Sequence, residues 1–372
     1  MERFWKFGEI DTPAVLVDYE KLLANLDDMA GFARAHGVKL RPHAKTHKTA
    51  EIARLQIERG AVGITVAKIG EAEALADHGC ADILIAYPLI GTPKLERLAA
   101  LAERIRVAAV IDSLDGAIAL SDFFAARNRQ IDVYVKIDSG LRRCGRQPGE
   151  DAAELARQAA RFAGIRLVGL LTHAGHAYGA PTPEILQKIG REEALSLLYT
   201  AELLRPEDGV NAREISVGST PTVKISGTVP GVTEIRPGNY VFYDMTQVRL
   251  GVVPIERCAL RVVAQVVSRP EADRIVIDAG AKTLALDRGA HGLEGVAGYG
   301  YVVGYPQAVI ERLSEEHGIV RVVPDDPLRV GDYLEIIPNH ACPVVNLADE
   351  LIVVDRRGIR DRWKVVARGK VR

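Results

Sequence analysis

Eight consecutive residues, Arg41 to Lys48 (RPHAKTHK), concentrate side chains of this 372-residue chain that could carry out amine chemistry. Lys45 lies among several potentially cationic neighbours. Burial or nearby positive charge lowers the pKa of a lysine and makes it a nucleophile that can form a Schiff base. A basic turn that faces water would show the same residues. Taken alone, the stretch indicates a candidate Schiff-base lysine and leaves both interpretations open.

Three more candidates follow an apolar run at residues 169–172, namely His173, His176 and Tyr178. Histidine titrates near neutral pH, so either imidazole suits proton transfer in a site. Loop histidines that cap carbonyl groups would give the same pattern. The residues do not decide which histidine would act as the base.

Residues 217–222 (VGSTPT) end another apolar run with small side chains and hydroxyls. The backbone N–H groups and hydroxyls of such a turn can bind a phosphate, as loops late in a barrel often do. No GK[ST] sequence follows, so the turn is not a Walker loop. It is a candidate phosphate site.

Near the end of the chain, residues 338–343 (PNHACP) place His340 and Cys342 two positions apart. In extended backbone such residues face the same side, so both could bind one soft or borderline cation. Structural zinc sites use four ligands, whereas two ligands suit a catalytic ion that also binds water or substrate. The H-x-C pattern alone is a weak indication of metal.

The elements that must position these groups follow a regular order. The predicted strands are the apolar runs 14–17, 38–41, 63–67, 82–87, 107–111, 133–137, 167–172 and 215–217, and helical patterns separate them. This order is typical of parallel strands covered by helices, and about eight such units favour a (β/α)8 TIM barrel over an open sheet. The carboxyl ends of barrel strands gather at one face, which is where Lys45, His173 and the 217–222 turn would lie.

After about residue 255 the sequence becomes β-rich. The predicted strands are 260–268, 274–277, 319–323, 333–337, 351–354 and 363–367, with one predicted helix at 306–317. We therefore expect an α/β chain with a barrel over residues 12–255 and a β-rich domain over residues 256–372, which residues 1–11 would join.

Composition excludes several classes of protein. A formal net charge of −1 gives no basis for bulk attraction to nucleic acid. No apolar stretch reaches the ~18 residues of a membrane helix, and the N-terminus lacks the apolar run of a signal peptide. The four cysteines form no CxxC pair. That usage predicts a cytoplasmic protein.

Taken together and in this order, the segments resemble the D-threonine aldolase and D-serine dehydratase family. Its members are pyridoxal-phosphate (PLP) enzymes of the alanine-racemase fold. The resemblance runs from DTPAVLVD at residues 11–18 through RPHAKTHK, THAGHAY, VGSTPT and EIRPGNYVF to PNHACPVVNLADE, and so covers nearly the whole chain. RPHAKTHK is the most specific of these motifs.

The resemblance assigns roles to individual residues. It implies that Lys45 is the covalent anchor of PLP and that His340 and Cys342 bind a divalent metal such as Mn²⁺, Mg²⁺ or Zn²⁺. His173 is the candidate base for the β-hydroxyl proton, with His176 as the open alternative. The further cofactor contacts that the resemblance implies are Arg143, Tyr178, Ser219, Thr220, Gly238 and Asn239.

The implied activity is a lyase reaction on D-β-hydroxy-α-amino acids. We expect the D-threonine aldolase type, which gives glycine and an aldehyde. The alternative is the D-serine dehydratase type, which gives a keto acid and ammonia and which the H-x-C element favours. An amino-acid racemase or a non-enzymatic PLP carrier is a less favoured reading. The resemblance also implies a homodimer.

Overall fold

A computed structural model of the protein describes residues 10–205, 210, 213–290 and 296–372. Residues 1–9, which we expected to join the β-rich domain, lie outside the described residues. The described chain divides into two compact units. The barrel unit comprises residues 28–45, 50–238 and 369–372, and the β-rich unit comprises residues 10–27, 46–49 and 239–368. These limits differ from the expected boundaries at residues 12 and 255.

In chain order the strands are β1 (Ala14–Asp18), β2 (Lys39–Leu40), β3 (Ile64–Val66), β4 (Asp82–Pro88), β5 (Arg106–Ile111), β6 (Ile131–Lys136), β7 (Ile165–Leu171), β8 (Glu214–Val217), β9 (Glu234–Ile235), β10 (Leu260–Glu271), β11 (Arg274–Ile277), β12 (Tyr301–Val302), β13 (Val309–Leu313), β14 (Gly318–Arg321), β15 (Tyr333–Ile337), β16 (Glu350–Asp355) and β17 (Gly358–Lys364). The α-helices are α1 (Tyr19–His36), α2 (Ala50–Glu58), α3 (Ile69–Ala76), α4 (Thr92–Ala102), α5 (Leu114–Ala125), α6 (Glu150–Ala160), α7 (Pro183–Glu202), α8 (Val223–Ser226), α9 (Met245–Arg249), α10 (Ala281–Leu284) and α11 (Ala341–Leu347).

The barrel unit is built on an eight-stranded parallel sheet in the order β2-β9-β8-β7-β6-β5-β4-β3. A parallel bridge between His43 and Thr65 brings the chain beyond β2 against β3, where the two edges of the sheet meet. All six residues of β6 are buried, as expected for a strand covered on both faces. The predicted (β/α)8 architecture is confirmed.

Local sequence explains where the helices around the sheet begin. α7 starts after Thr182, whose hydroxyl accepts a hydrogen bond from the N–H of Ile185 at 3.3 Å. Pro183 occupies the first helical position, where its missing N–H is not needed. α7 then buries Leu186, Ala194 and Leu197 and, unusually for a charged side chain, Glu193.

The β-rich unit holds a nine-stranded sheet in the order β11-β14-β13-β12-β15-β10-β1-β16-β17, and β11 also pairs with β10. β10 is the central strand, because it pairs antiparallel with β1, β11 and β15. The core beside it includes Leu16, Val263, Ile352 and Val354. The predicted β-rich second domain is confirmed.

Two strand predictions need correction. Residues 14–18 form β1 of the β-rich sheet, antiparallel to β10 and parallel to β16, and not the first strand of the barrel. The remaining position in the barrel sheet belongs to β9, which pairs with β2 and β8. An apolar run predicts a buried strand but not its partners, and β9 is too short to produce such a run.

The predicted helix at residues 306–317 is also wrong. Residues 309–313 form β13, which pairs antiparallel with β14. The turn between them is closed by the Ser314 N–H, which donates to the His317 carbonyl at 2.9 Å. Helix propensity is a weak preference that pairing with a neighbouring strand outweighs.

No helix within the described ranges is long and apolar enough to cross a membrane.

Candidate functional site

The predicted site residues of the barrel unit follow the carboxyl ends of its strands. Lys45 follows β2, His173 follows β7, Ser219 follows β8 and Gly238 follows β9. Because the carboxyl ends of parallel barrel strands share one face, these residues lie at one rim of the barrel. The other end of the barrel holds Arg41, which pairs with Asp82 and Glu234.

Lys45 lies in a short 3₁₀ turn, Ala44–Thr46, and is partly exposed. Its backbone N–H donates to the Nδ1 atom of His43 at 3.3 Å. Burial, followed by the positive charge of Lys45, holds the pKa of His43 well below its usual range. His43 is therefore neutral at pH 7 and accepts a hydrogen bond at Nδ1.

Lys136, the last residue of β6, is a cation of this rim that the sequence reasoning did not single out. Its Nζ atom lies 3.5 Å from the Ala86 carbonyl oxygen, and the side chain is buried. Burial and the charge of Arg143 lower the pKa of Lys136, against the opposing effect of Cys144. Arg143 itself is exposed on the loop that follows β6.

The geometry of His173 defines its tautomer. Nδ1 of His173 lies 3.0 Å from the carbonyl oxygen of Gly218. A carbonyl oxygen only accepts hydrogen bonds, so Nδ1 carries the proton and Nε2 carries the lone pair of the neutral ring. His173 can therefore accept a proton at Nε2.

The second histidine of this segment, His176, lies against the loop that carries Arg143. A Cβ atom added at Gly140 would lie 3.0 Å from the His176 ring. Tyr178 belongs to the same 3₁₀ turn, Gly175–Gly179, and is buried. The structure thus brings the predicted His176, Tyr178 and Arg143 segments to neighbouring positions.

The turn after β8 fits a phosphate group. Ser219 and Thr220 are buried, and among the described residues the N–H groups of Ser219 and Gly238 donate no hydrogen bond. Gly218 has a φ of +136°, and a Cβ atom there would lie 2.8 Å from the backbone nitrogen of Arg236. Only glycine permits this close approach of the two strand ends. The two N–H groups, of Ser219 and Gly238, can therefore donate to an anion.

Arg236 is a second residue that the sequence reasoning missed, although it lies within the EIRPGNYVF motif. Its guanidinium is buried and donates to the Ser216 hydroxyl and the Thr172 carbonyl. Burial lowers its pKa, while the carboxylates of Glu234 and Glu193 oppose that effect. Arg236 therefore places a buried cation among these strand ends.

The H-x-C element lies in the β-rich unit. His340 is the N-cap of α11, and Cys342 lies in the first turn of that helix, so the expected extended backbone is wrong. Nδ1 of His340 lies 2.8 Å from Asp287 Oδ2, and Cys342 also interacts with the ring. Burial acts to lower the pKa of His340, but Cys342 and Asp287 outweigh it and raise the pKa to about 10.

These donors fit a metal ion in their chemistry. Asp287 can accept the Nδ1 proton of His340, which would leave Nε2 for a metal, and such carboxylate partners commonly orient metal-binding histidines. Imidazole and thiolate suit Zn²⁺ better than Mg²⁺. Within the described ranges no three His, Cys, Asp or Glu side chains form a group that could hold an ion by themselves.

The segment around this element is fixed by a buried carboxylate. Asp244 accepts hydrogen bonds from the Ala341 N–H at 2.9 Å and from Asn239 Nδ2 at 2.6 Å. Burial raises the pKa of Asp244, and the charge of His340 opposes this. The Thr46 hydroxyl lies 3.2 Å from the Cys342 sulfur. The predicted Asn239 is thus tied to the start of α11.

Comparison with families of known proteins covers most of the chain. Residues 17–246 match the family model described as "Alanine racemase, N-terminal domain", and residues 259–354 match the one described as "Putative serine dehydratase domain". A D-threonine aldolase of Arthrobacter sp. is 33% identical over 366 residues, which is 97% of this chain and 94% of the relative.

Solved structures give the same result. The D-threonine aldolase from Filomicrobium marinum superposes with a TM-score of 0.91 at 33% identity over 98% of this chain and 97% of that one. The D-threo-3-hydroxyaspartate dehydratase from Delftia sp. HT23 superposes with a TM-score of 0.88 at 33% identity, over 95% of this chain and 97% of that one. That dehydratase has also been solved with alanine in place of a histidine, and in a metal-free form with alanine in place of a cysteine two positions further on.

Proposed function

The chain belongs to the D-threonine aldolase and D-serine dehydratase family of alanine-racemase-fold, PLP-dependent lyases, and from that premise we propose that it cleaves D-β-hydroxy-α-amino acids to glycine and an aldehyde. The observation that carries this choice is the tautomer of His173, whose Nδ1–H donates to Gly218. A retro-aldol cleavage needs a base for the β-hydroxyl proton, and Nε2 of His173 is such a base.

We propose that the barrel rim holds PLP, which supplies an electron sink for the pair left on the substrate's Cα. Lys45 is the proposed covalent anchor. The N–H groups of Ser219 and Gly238 are available to the phosphate, and Thr220 and Asn239 are the further proposed contacts. Arg143 and Tyr178 are the proposed neighbours of the ring.

We propose a divalent metal at His340 and Cys342. The support is the donor pair with its Asp287 partner, together with the histidine and the cysteine, equally spaced, that were replaced in the dehydratase relative. A cation held there would supply a Lewis acid for a hydroxyl oxygen. The thiolate ligand favours Zn²⁺ or Mn²⁺ over Mg²⁺.

The same H-x-C spacing supports a second candidate, dehydration of the D-serine dehydratase type. In that reaction Lys45 would take the Cα proton and the β-hydroxyl would leave, which gives a keto acid and ammonia. The two candidates share every proposed ligand and differ in which bond breaks.

One assay separates the candidates. The protein is incubated with D-threonine, PLP and either Mn²⁺ or Zn²⁺, with the Lys45→Ala variant as the blank. We expect glycine and acetaldehyde in equal amounts. Formation of 2-oxobutanoate and ammonia would replace the aldolase by the dehydratase, and L-allo-threonine, the product of inversion at Cα alone, would indicate a racemase.

We also propose a homodimer, which rests on the family resemblance. Sedimentation velocity of the PLP-loaded protein at assay concentration tests it, and a single species of about 40 kDa, the mass of one chain, would refute it.

A further inference from the structure

A buried carboxylate on α7 contacts two of the strand-end segments. Glu193 has no exposed surface. Its Oε1 atom accepts hydrogen bonds from the N–H of Ala174 at 3.2 Å and from the N–H of Gly218 at 2.9 Å. Its Oε2 atom accepts from the Thr222 hydroxyl at 2.7 Å. The two backbone N–H groups can only donate, so Oε1 is the acceptor in both of these hydrogen bonds.

The two segments that Glu193 joins carry different chemistry. Ala174 follows His173 directly, whereas Gly218 and Thr222 flank the Ser219–Thr220 turn. Gly218 connects the two segments a second time. Its N–H donates to Glu193, and its carbonyl oxygen accepts a hydrogen bond from His173 Nδ1. The Thr222 hydroxyl in turn lies 2.9 Å from the Ser219 hydroxyl. One carboxylate therefore contacts the backbone beside His173 and both ends of the phosphate turn.

We propose that Glu193 is a positioning residue that fixes His173 and the Ser219–Thr220 turn relative to each other, an arrangement that we name the Glu193 clamp. It acts through Gly218 and does not need to touch the substrate. A bare carboxylate is costly to bury, and here three hydrogen bonds and the charge of Arg236 compensate for that cost. The expected effect of the Glu193 clamp on PLP binding rests on the proposed function.

The test begins with the cofactor-free protein, so that it does not depend on activity. Amide hydrogen exchange is followed in the segments 173–178 and 217–222 of wild type, Glu193→Ala, Glu193→Gln and Glu192→Gln. Glu192 is the matched control, because it is the exposed neighbour on α7 that pairs with Lys188 at 3.7 Å. We expect exchange in both segments to be roughly tenfold faster in E193A, since hydrogen bonds to a charged acceptor are lost.

The conservative variant separates positioning from a general loss of structure. Glutamine keeps one acceptor oxygen but loses the charge and the other acceptor, so exchange in E193Q should rise by an intermediate factor, about three- to fivefold, and E192Q should match wild type. If E193A does not fold, E193Q still tests the clamp. Its NH₂ group would replace Oε2, so the hydrogen bond that the Thr222 hydroxyl donates to Oε2 is lost and exchange in segment 217–222 should change. Protection within twofold of wild type in both segments of every folded Glu193 variant would overturn the proposal.

Cofactor binding is the second readout. The dissociation constant for PLP, measured by equilibrium dialysis, should rise about tenfold or more in E193A and less in E193Q. If exchange is faster but the dissociation constant for PLP is unchanged, the Glu193 clamp positions His173 and the proposal that it supports phosphate binding is wrong. If the wild-type protein binds no PLP, the proposed function fails, whereas the exchange data still decide whether the clamp exists.

Discussion

His173 and His43 lie at the same barrel rim but differ in what their environments do to the proton. The Gly218 carbonyl fixes a proton on Nδ1 of His173, whereas burial and the charge of Lys45 keep His43 neutral. The first arrangement leaves a proton acceptor at a known atom. The second keeps one more positive charge away from the lysine that we propose as the PLP anchor.

His173→Gln should remove the proposed base while keeping a group of similar size. We expect kcat for D-threonine cleavage to fall by about 10²- to 10⁴-fold, the usual contribution of a general base, with the PLP absorbance spectrum retained. His317→Gln, at an exposed position, is the control. A H173Q enzyme with unchanged kcat would assign the base to another residue.

The depressed pKa of His43 predicts a pH dependence of stability. Below about pH 6.5 the unfolded chain binds a proton at this imidazole and the folded barrel does not, so stability is lost as the pH falls. In urea unfolding of the cofactor-free protein at pH 7 and 5.5, His43→Asn should lose less stability on acidification than wild type. His317→Asn should keep the wild-type slope. Equal slopes for H43N and wild type would contradict the assignment.

At the scale of whole strands, the carboxyl and amino ends of the barrel strands carry different kinds of side chains. The carboxyl ends carry the proposed chemistry, whereas the first residues of β4 and β9, Asp82 and Glu234, hold Arg41. Arg41 and Glu234 have side-chain exposures of 8% and 1%. This pair is therefore a desolvated ion pair, and we expect its loss to lower the stability of the barrel.

Arg41→Ala should leave Glu234 buried without its main counter-charge. We expect a loss of about 3–5 kcal/mol in the free energy of unfolding, the usual result of removing one member of a buried pair. Arg54→Ala is the control, because its partner Glu58 lies 3.9 Å away on an exposed helix face and such pairs contribute ~0.5 kcal/mol or less. A loss below about 1 kcal/mol for R41A would show that water replaces the arginine.

The elements show what a sequence alone can and cannot predict. Runs such as β4 to β8 were predictable, because each is a mainly apolar stretch between helical patterns. β9 was not, since one of its two residues is Glu234 and no helical pattern follows it. The pairing of β1 with β10 and β16 depends on partners far along the chain. The positions of Lys45 and His340 could be predicted by family motif, whereas no local signal distinguishes the buried Glu193 from its exposed neighbour Glu192.

On the scale of the whole molecule, the proposed PLP anchor and metal ligands belong to different compact units. The two cofactors should therefore be separable. Cys342→Ala, or chelation of the wild type, should abolish lyase activity and leave the PLP absorbance spectrum unchanged. Zn²⁺ or Mn²⁺ should restore the chelated wild type but not C342A. Full activity after exhaustive chelation would rule out a catalytic metal.

The placement of β1 has a consequence for how the protein is made. Its residues leave the ribosome long before their partners, which are residues 260–263 and 352–354. At a synthesis rate of about 5–20 residues per second, β1 waits on the order of ten seconds or more for β10 and longer for β16. During that interval an apolar strand has an open edge on each side, which is a template for pairing with other chains. We expect nascent-chain chaperones to bind β1 during this interval, and a circular permutant that starts just before β10 to shorten the wait.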